Sequence, residues 1–157
     1  MINKEKLQKF AQLIVKVGVN VQEGQLLVIN SSVECKDFTR MIVEEAYLAK
    51  AGNVIVRWSD DIVNKAYFTY VTEDVIKEVP DYVVSQLNSK VSNEKLVFYR
   101  KHMMSNGSQW CVVSYPTVAW ATKVFPEITD ENQAFDKLMD AILTASRVTE
   151  NNNPVQE

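Results

Sequence analysis

The residues able to do chemistry are few in this chain and poorly spaced for it. A hydrolytic metal site needs several convergent ligands, commonly His with carboxylates, and an open coordination position. The sequence has one histidine, His102, followed by Met103-Met104 and without an H-x-x-x-H partner. It reads as an ordinary surface or capping residue rather than a ligand. A thiol nucleophile needs a base beside it and a third group to orient that base. Cys111 sits in an apolar run and is expected to be a small buried hydrophobe. Cys35 falls in a polar loop, a more exposed setting, and neither thiol reads as catalytic. The four glycines, Gly18, Gly24, Gly52 and Gly107, are too dispersed to cradle a phosphate.

Two polar stretches remain as candidates. Ser31, Ser32 and Glu34 follow one apolar run, and Ser59, Asp60 and Asp61 follow the next. Open parallel sheets bind ligands at the carboxyl ends of their strands, where adjacent acids could hold a cation or an amine. The plainer reading is stronger: acids and hydroxyls where a helix begins cap its free N–H groups and complement its dipole. The aromatics Tyr67, Phe68, Tyr70, Phe98, Tyr99, Trp110, Tyr115 and Trp120 are not interleaved with enough Lys and Arg for a nucleic-acid stacking platform. Most of them are expected in the core. Seventeen basic residues against 20 acidic ones give a net charge of -3, which excludes a strongly basic, nucleic-acid-coating surface.

The elements that must position these residues can be read from periodicity. Leu7, Phe10, Ala11, Ile14 and Val17 make a helical face that ends near Gly18. Leu26-Leu27-Val28-Ile29 is apolar on both faces, as a buried parallel strand would be. Phe38, Met41, Ile42, Glu45, Ala46 and Ala49 place a mostly apolar stripe on a helix that stops by Gly52. Asn53 to Trp58 is the next strand, and Ser59 or Asp60 caps a helix through Tyr67 or Tyr70. Thr72 and Pro80 are expected to open two further helices, and 90–104 follows a helical pattern. Trp110 to Ser114 is read as a third strand, Pro116 as the start of a helix to about Val124. Thr129-Asp130-Glu131 is read as the cap of a last helix. Strands separated by amphipathic helices argue for an α/β fold: an open parallel sheet with helices on both faces, and a sheet that looks incomplete.

A chain of 157 residues buries roughly two-thirds of its unfolded surface and needs no metal or disulfide to fold. Its apolar runs are far shorter than the roughly 20 residues of a membrane span, and Met1 to Lys6 lacks a signal-peptide core. With two isolated cysteines, the expectation is a cytosolic protein that meets neither membrane nor nucleic acid.

Several stretches carry a resemblance in their order and spacing. They are Leu7 to Gln22, Val43-Glu44-Glu45-Ala46-Tyr47, Val56-Arg57-Trp58-Ser59-Asp60-Asp61, Gln109 to Val113 and Pro116 to Pro126. Together they resemble the aminopeptidase T / aminopeptidase S family of metallo-aminopeptidases, the thermophilic metalloprotease family. The resemblance implies an additional family segment, with a further strand, between the positions matching Lys90 and Val91–Lys95. Arg147 to Val155 resembles the hinge that leads into the family's second domain. That domain carries the Glu, His and Asp ligands of two divalent ions (zinc, cobalt or similar), so the resemblance places no ligand on this sequence.

The domain expectation is therefore an amino-terminal α/β domain over 1–149 and a linker over 150–157. The function implied by resemblance is metal-dependent release of amino-terminal residues from peptides by a homodimer. The chain alone, shortened inside and cut at the hinge, is expected to hold no metal and to be inactive. A competing expectation is a stand-alone small-ligand or interaction module using Ser31, Ser32, Glu34, Ser59, Asp60 and Asp61. A receiver-like phosphotransfer domain fits worse, because no separate phosphoacceptor Asp ends a later strand.

Overall fold

The computed structural model describes residues 3–71 and 109–156. The chain divides into two compact units, one of Met1–Ser59 with Trp110–Glu157 and one of Asp60–Gln109. The helices expected after Thr72 and Pro80 and over 90–104 lie outside the described residues.

In the first unit, helix α1 spans Lys4–Leu13, with the Asn3 side chain accepting from the Glu5 N–H. A π-helical turn, Ile14–Gly18, continues it, and Val19 donates back to Ile14 O at 2.8 Å. Strand β1 is Leu26–Ser32, followed by a 3-10 turn at Val33–Cys35, helix α2 at Lys36–Leu48 and strand β2 at Asn53–Ser59. The two strands run parallel, Leu26 opposite Asn53 through Ser32 opposite Ser59. With α2 as the crossover they form a βαβ unit. Later in the chain come α4, Val118–Val124, capped by the Thr117 hydroxyl, and α5, Glu131–Ala145, capped by Asp130. The second unit contributes helix α3, Asp61–Tyr70.

One apolar core holds the first unit together. Phe10, Ala11, Ile14 and Val15 meet Phe38, Ile42 and Ala46 of α2 and Met139 and Leu143 of α5, while Leu27, Ile29 and Val54 line the sheet side. Burying each large side chain stabilises the fold by about 1.5–3 kcal/mol. A smaller cluster of Ala121, Ala134 and Leu138 joins α4 to α5. On the other sheet face Val28 and Ile55 are 40% and 41% exposed. Two-sided apolarity in β1 therefore marks a strand covered by α1, α2 and α5 on one side among the described residues.

The chain is α/β with an open parallel sheet, and the helices and strands around β1 and β2 fall where periodicity puts them. The third strand does not. Trp110–Thr117 has no regular structure and joins no ladder among the described residues. Cys111 is accordingly exposed rather than buried, whereas Cys35 is half-buried against the start of α2. The expectation of mostly buried aromatics also needs correction. Tyr115 packs on the core, but Tyr67, Tyr70, Trp110 and Trp120 stand exposed.

Candidate functional site

The carboxyl ends of β1 and β2 bring Ser32 and Ser59 opposite each other, one residue beyond Ser31 and Trp58. Each polar group there has a local task. The Ser31 hydroxyl pairs with the Thr39 hydroxyl at 2.7 Å, and Thr39 donates to Cys35 O at 3.0 Å. The Ser32 hydroxyl accepts the Glu34 N–H at 3.3 Å, leaving the Glu34 carboxylate exposed. In the second unit Asp60 accepts from the N–H groups of Ile62 and Val63 at 2.9 and 3.2 Å, and Asp61 stands exposed in the first helical turn. The capping reading of Asp60 is thus realised in hydrogen bonds. Ser31, Ser32, Glu34 and Ser59 gather at the edge of the first unit; Asp60 and Asp61 belong to the second.

Sequence reasoning passed over a buried acid. Glu45 is 2% exposed and accepts from the side-chain amides of Gln8 and of Gln12, the latter at 3.1 Å. The signal was legible: a Glu inside the α2 apolar stripe, with two Gln one turn apart on α1. This contact sets α1 against α2. Replacing Glu45 by alanine strands two part-buried amides, at an expected cost of about 1–3 kcal/mol, and Glu45→Gln, which keeps one acceptor, costs less. Urea unfolding of both variants checks the order.

Both thiols are held in their protonated form. Partial burial pushes the Cys35 thiol up, with the Glu34 charge adding to it, and the loss of part of its water shell alone raises the largely exposed Cys111. Burial likewise raises the Tyr115 phenol, helped by Cys35 and Asp37. A raised folded value means less thiolate near neutrality, so both cysteines are expected to react with an aromatic disulfide more slowly than a free cysteine. The stability from keeping these groups neutral is full at neutral pH and is lost as pH climbs through their raised values. A reaction faster than free cysteine at pH 7 would contradict this.

No group of three or more His, Cys, Asp or Glu side chains converges on a metal-holding arrangement among the described residues. Those residues do not fit the two divalent ions implied by the resemblance. Also among the described residues, no helix is long and apolar enough to cross a membrane.

The fold is an open α/β domain with capped polar loops at the carboxyl ends of its strands. Matched over residues 3–98 and 84–157, the chain belongs to the thermophilic metalloprotease (M29) family. It is similar to Aminopeptidase AmpS of Bacillus subtilis, with 34% identity over 97% of this chain and 44% of the relative. Aminopeptidase 2 of Geobacillus stearothermophilus is 30% identical over 92% of this chain and 42% of its own length. A solved structure, wild-type AmpT from Thermus thermophilus, shares the fold with a TM-score of 0.72 at 22% identity, over 90% of this chain and 43% of its own. The chain thus spans less than half the length of the relatives it matches.

The AmpS alignment runs over 183 positions, against 157 residues in this chain. At least 26 of those positions, the difference of the two lengths, therefore stand opposite gaps. The two family matches overlap at 84–98.

Proposed function

We propose that these 157 residues are the amino-terminal α/β part of a cytosolic, metal-dependent aminopeptidase that acts on peptides as a homodimer. The observation that carries this is the family match along nearly the whole chain, with 34% identity to an aminopeptidase. In this reading residues 1–149 form the domain and 150–157 lead to chain that supplies the ligands of two divalent ions, zinc, cobalt or similar. This part contributes scaffold and contact surface, and taken alone it is inactive.

The test is hydrolysis of aminoacyl-nitroanilides with added cobalt or zinc. The 157-residue chain is expected to show no turnover above buffer. Mixing in the separately expressed carboxyl-terminal part of AmpS is expected to restore metal-dependent turnover. Turnover by the chain alone, surviving rigorous removal of host aminopeptidases, would overturn the assignment of the ligands to chain outside these residues.

A further inference from the structure

Helix α5 ends in a closed C-terminal turn. Arg147, at a left-handed φ of +56°, donates to Thr144 O at 3.0 Å, and Val148 donates to Leu143 O at 2.8 Å. This pair of bonds is a Schellman closure, and its apolar partners Leu143 and Val148 are both 2% exposed in the main core. Val148 thus anchors the chain where α5 stops. Asn151-Asn152-Asn153-Pro154 follows, a composition that reads as a linker. In the fold, however, 147–152 is drawn back on itself. The Asn152 amide donates to Arg147 O at 2.6 Å, and its oxygen accepts the Thr149 N–H at 2.9 Å. Asn153 closes a further turn, its side chain accepting from Val155 N–H at 3.2 Å and its carbonyl from Gln156 N–H at 3.0 Å. Pro154 is buried.

Those bonds shape the segment, and α1 attaches it. Lys9 Nζ donates to Thr149 O at 3.3 Å and to Glu150 O at 2.7 Å, across more than a hundred residues of chain. A charged donor on a carbonyl makes a stronger bond than a neutral one. One turn earlier Lys6 lies 3.5 Å from Asp140 and 3.7 Å from Glu150, but both carboxylates are mostly exposed, so these ion pairs hold weakly. We propose that Lys9 is the positioning residue of a strap: seated on the Thr149 and Glu150 carbonyls, its ammonium locks residues 149–156 to α1, and breaking that contact releases the strap as a unit while the core stays folded. The division falls at Val148, with an apolar anchor before it and mainly polar contacts after it. Proteins open locally along such divisions. The strap depends on bonds within the first unit and stands independently of the aminopeptidase reading.

Hydrogen exchange of the 157-residue chain, read amide by amide by NMR, tests this. In the wild type the amides of Thr149, Val155 and Gln156 are expected to exchange at least about tenfold more slowly than free chain. Lys9→Met keeps the apolar stem and removes the donors. It is expected to speed these three amides about tenfold and to leave 26–32 and 131–145 unchanged. Lys9→Arg retains charged donors and is expected to stay close to the wild type. A role for the stem in packing alone would be preserved by Met, so the contrast between Met and Arg isolates the charged contact. Wild-type amides exchanging at the free-chain rate would overturn the proposal without recourse to any variant. So would Lys9→Met without effect, Lys9→Arg opening as fully as Lys9→Met, or faster exchange spread through 131–145. A larger rise in Lys6→Met would assign the strap to the ion pairs, and a larger rise in Pro154→Ser to its buried ring; either also overturns it.

Discussion

Phe38→Ala is expected to lower the unfolding free energy by about 3–5 kcal/mol, enough to leave the first unit marginal or unfolded at room temperature. Phe38 is 3% exposed and lies between two other rings. Its centroid is 5.4 Å from Phe10 and 4.8 Å from Tyr115, with interplanar angles of 16° and 12°. Tyr115 in turn meets Phe135 edge-on at 6.1 Å. The ring therefore ties α1, α2, the segment after Trp110 and α5 into one stack, and removal leaves a cavity that four elements border. Stacked pairs add about 0.5–1.5 kcal/mol each beyond burial. Phe38→Leu fills most of the space and is expected to cost clearly less. Urea titration followed by tryptophan fluorescence measures both. A Phe38→Ala loss below about 1 kcal/mol would show that the stack does not organise the core.

Gly52→Ala is expected to be the most damaging single-methyl addition, at about 3 kcal/mol or more. A Cβ on Gly52 would sit 2.4 Å from Gly24 O and 2.8 Å from Gly24 C, and these are backbone atoms that cannot rotate away. The same corner is stitched by Gly24 N–H to Lys50 O and by Gly52 N–H to Gln25 O, both at 2.9 Å. Making room would break these bonds where β1 and β2 begin and disturb their register. Gly24→Ala makes a useful contrast. Nothing lies within 4 Å of its added Cβ, but its φ of +77° is left-handed, so the cost is backbone strain of about 1–2 kcal/mol. Thermal unfolding of the two variants is expected to rank Gly52→Ala as the worse. The reverse order would mean that the corner is more pliable than its close approach implies.

The candidate edge was legible in part. Asp60 could be assigned as a cap from its place before an amphipathic run, because capping depends on only three or four consecutive residues. The partners of Ser31 and Glu45 were not legible as pairs. Thr39 lies eight residues from Ser31, and Gln8 and Gln12 lie 37 and 33 residues from Glu45. Such pairings depend on how helices pack, which local spacing does not encode.

By itself the sequence determined the local elements near the chain's start and end: α1 from the Phe10–Ile14 stripe, α2 from Phe38 and Ile42, β1 and β2 from their apolar runs, α5 from its Asp130 cap. It also determined the family, through residues spread along the chain. These are properties of neighbours in the chain, written in periods of 3.6 and 2. Tertiary structure decided which apolar residues are covered, since Val28 and Leu27 are adjacent and equally apolar, yet only Leu27 packs on the core. It decided as well that Trp110–Ser114, strand-like in composition, forms no ladder among the described residues. A strand needs a partner whose backbone groups are free and about 4.8 Å away. Composition can prepare a segment for that pairing, but only the arrangement of the whole chain provides the partner.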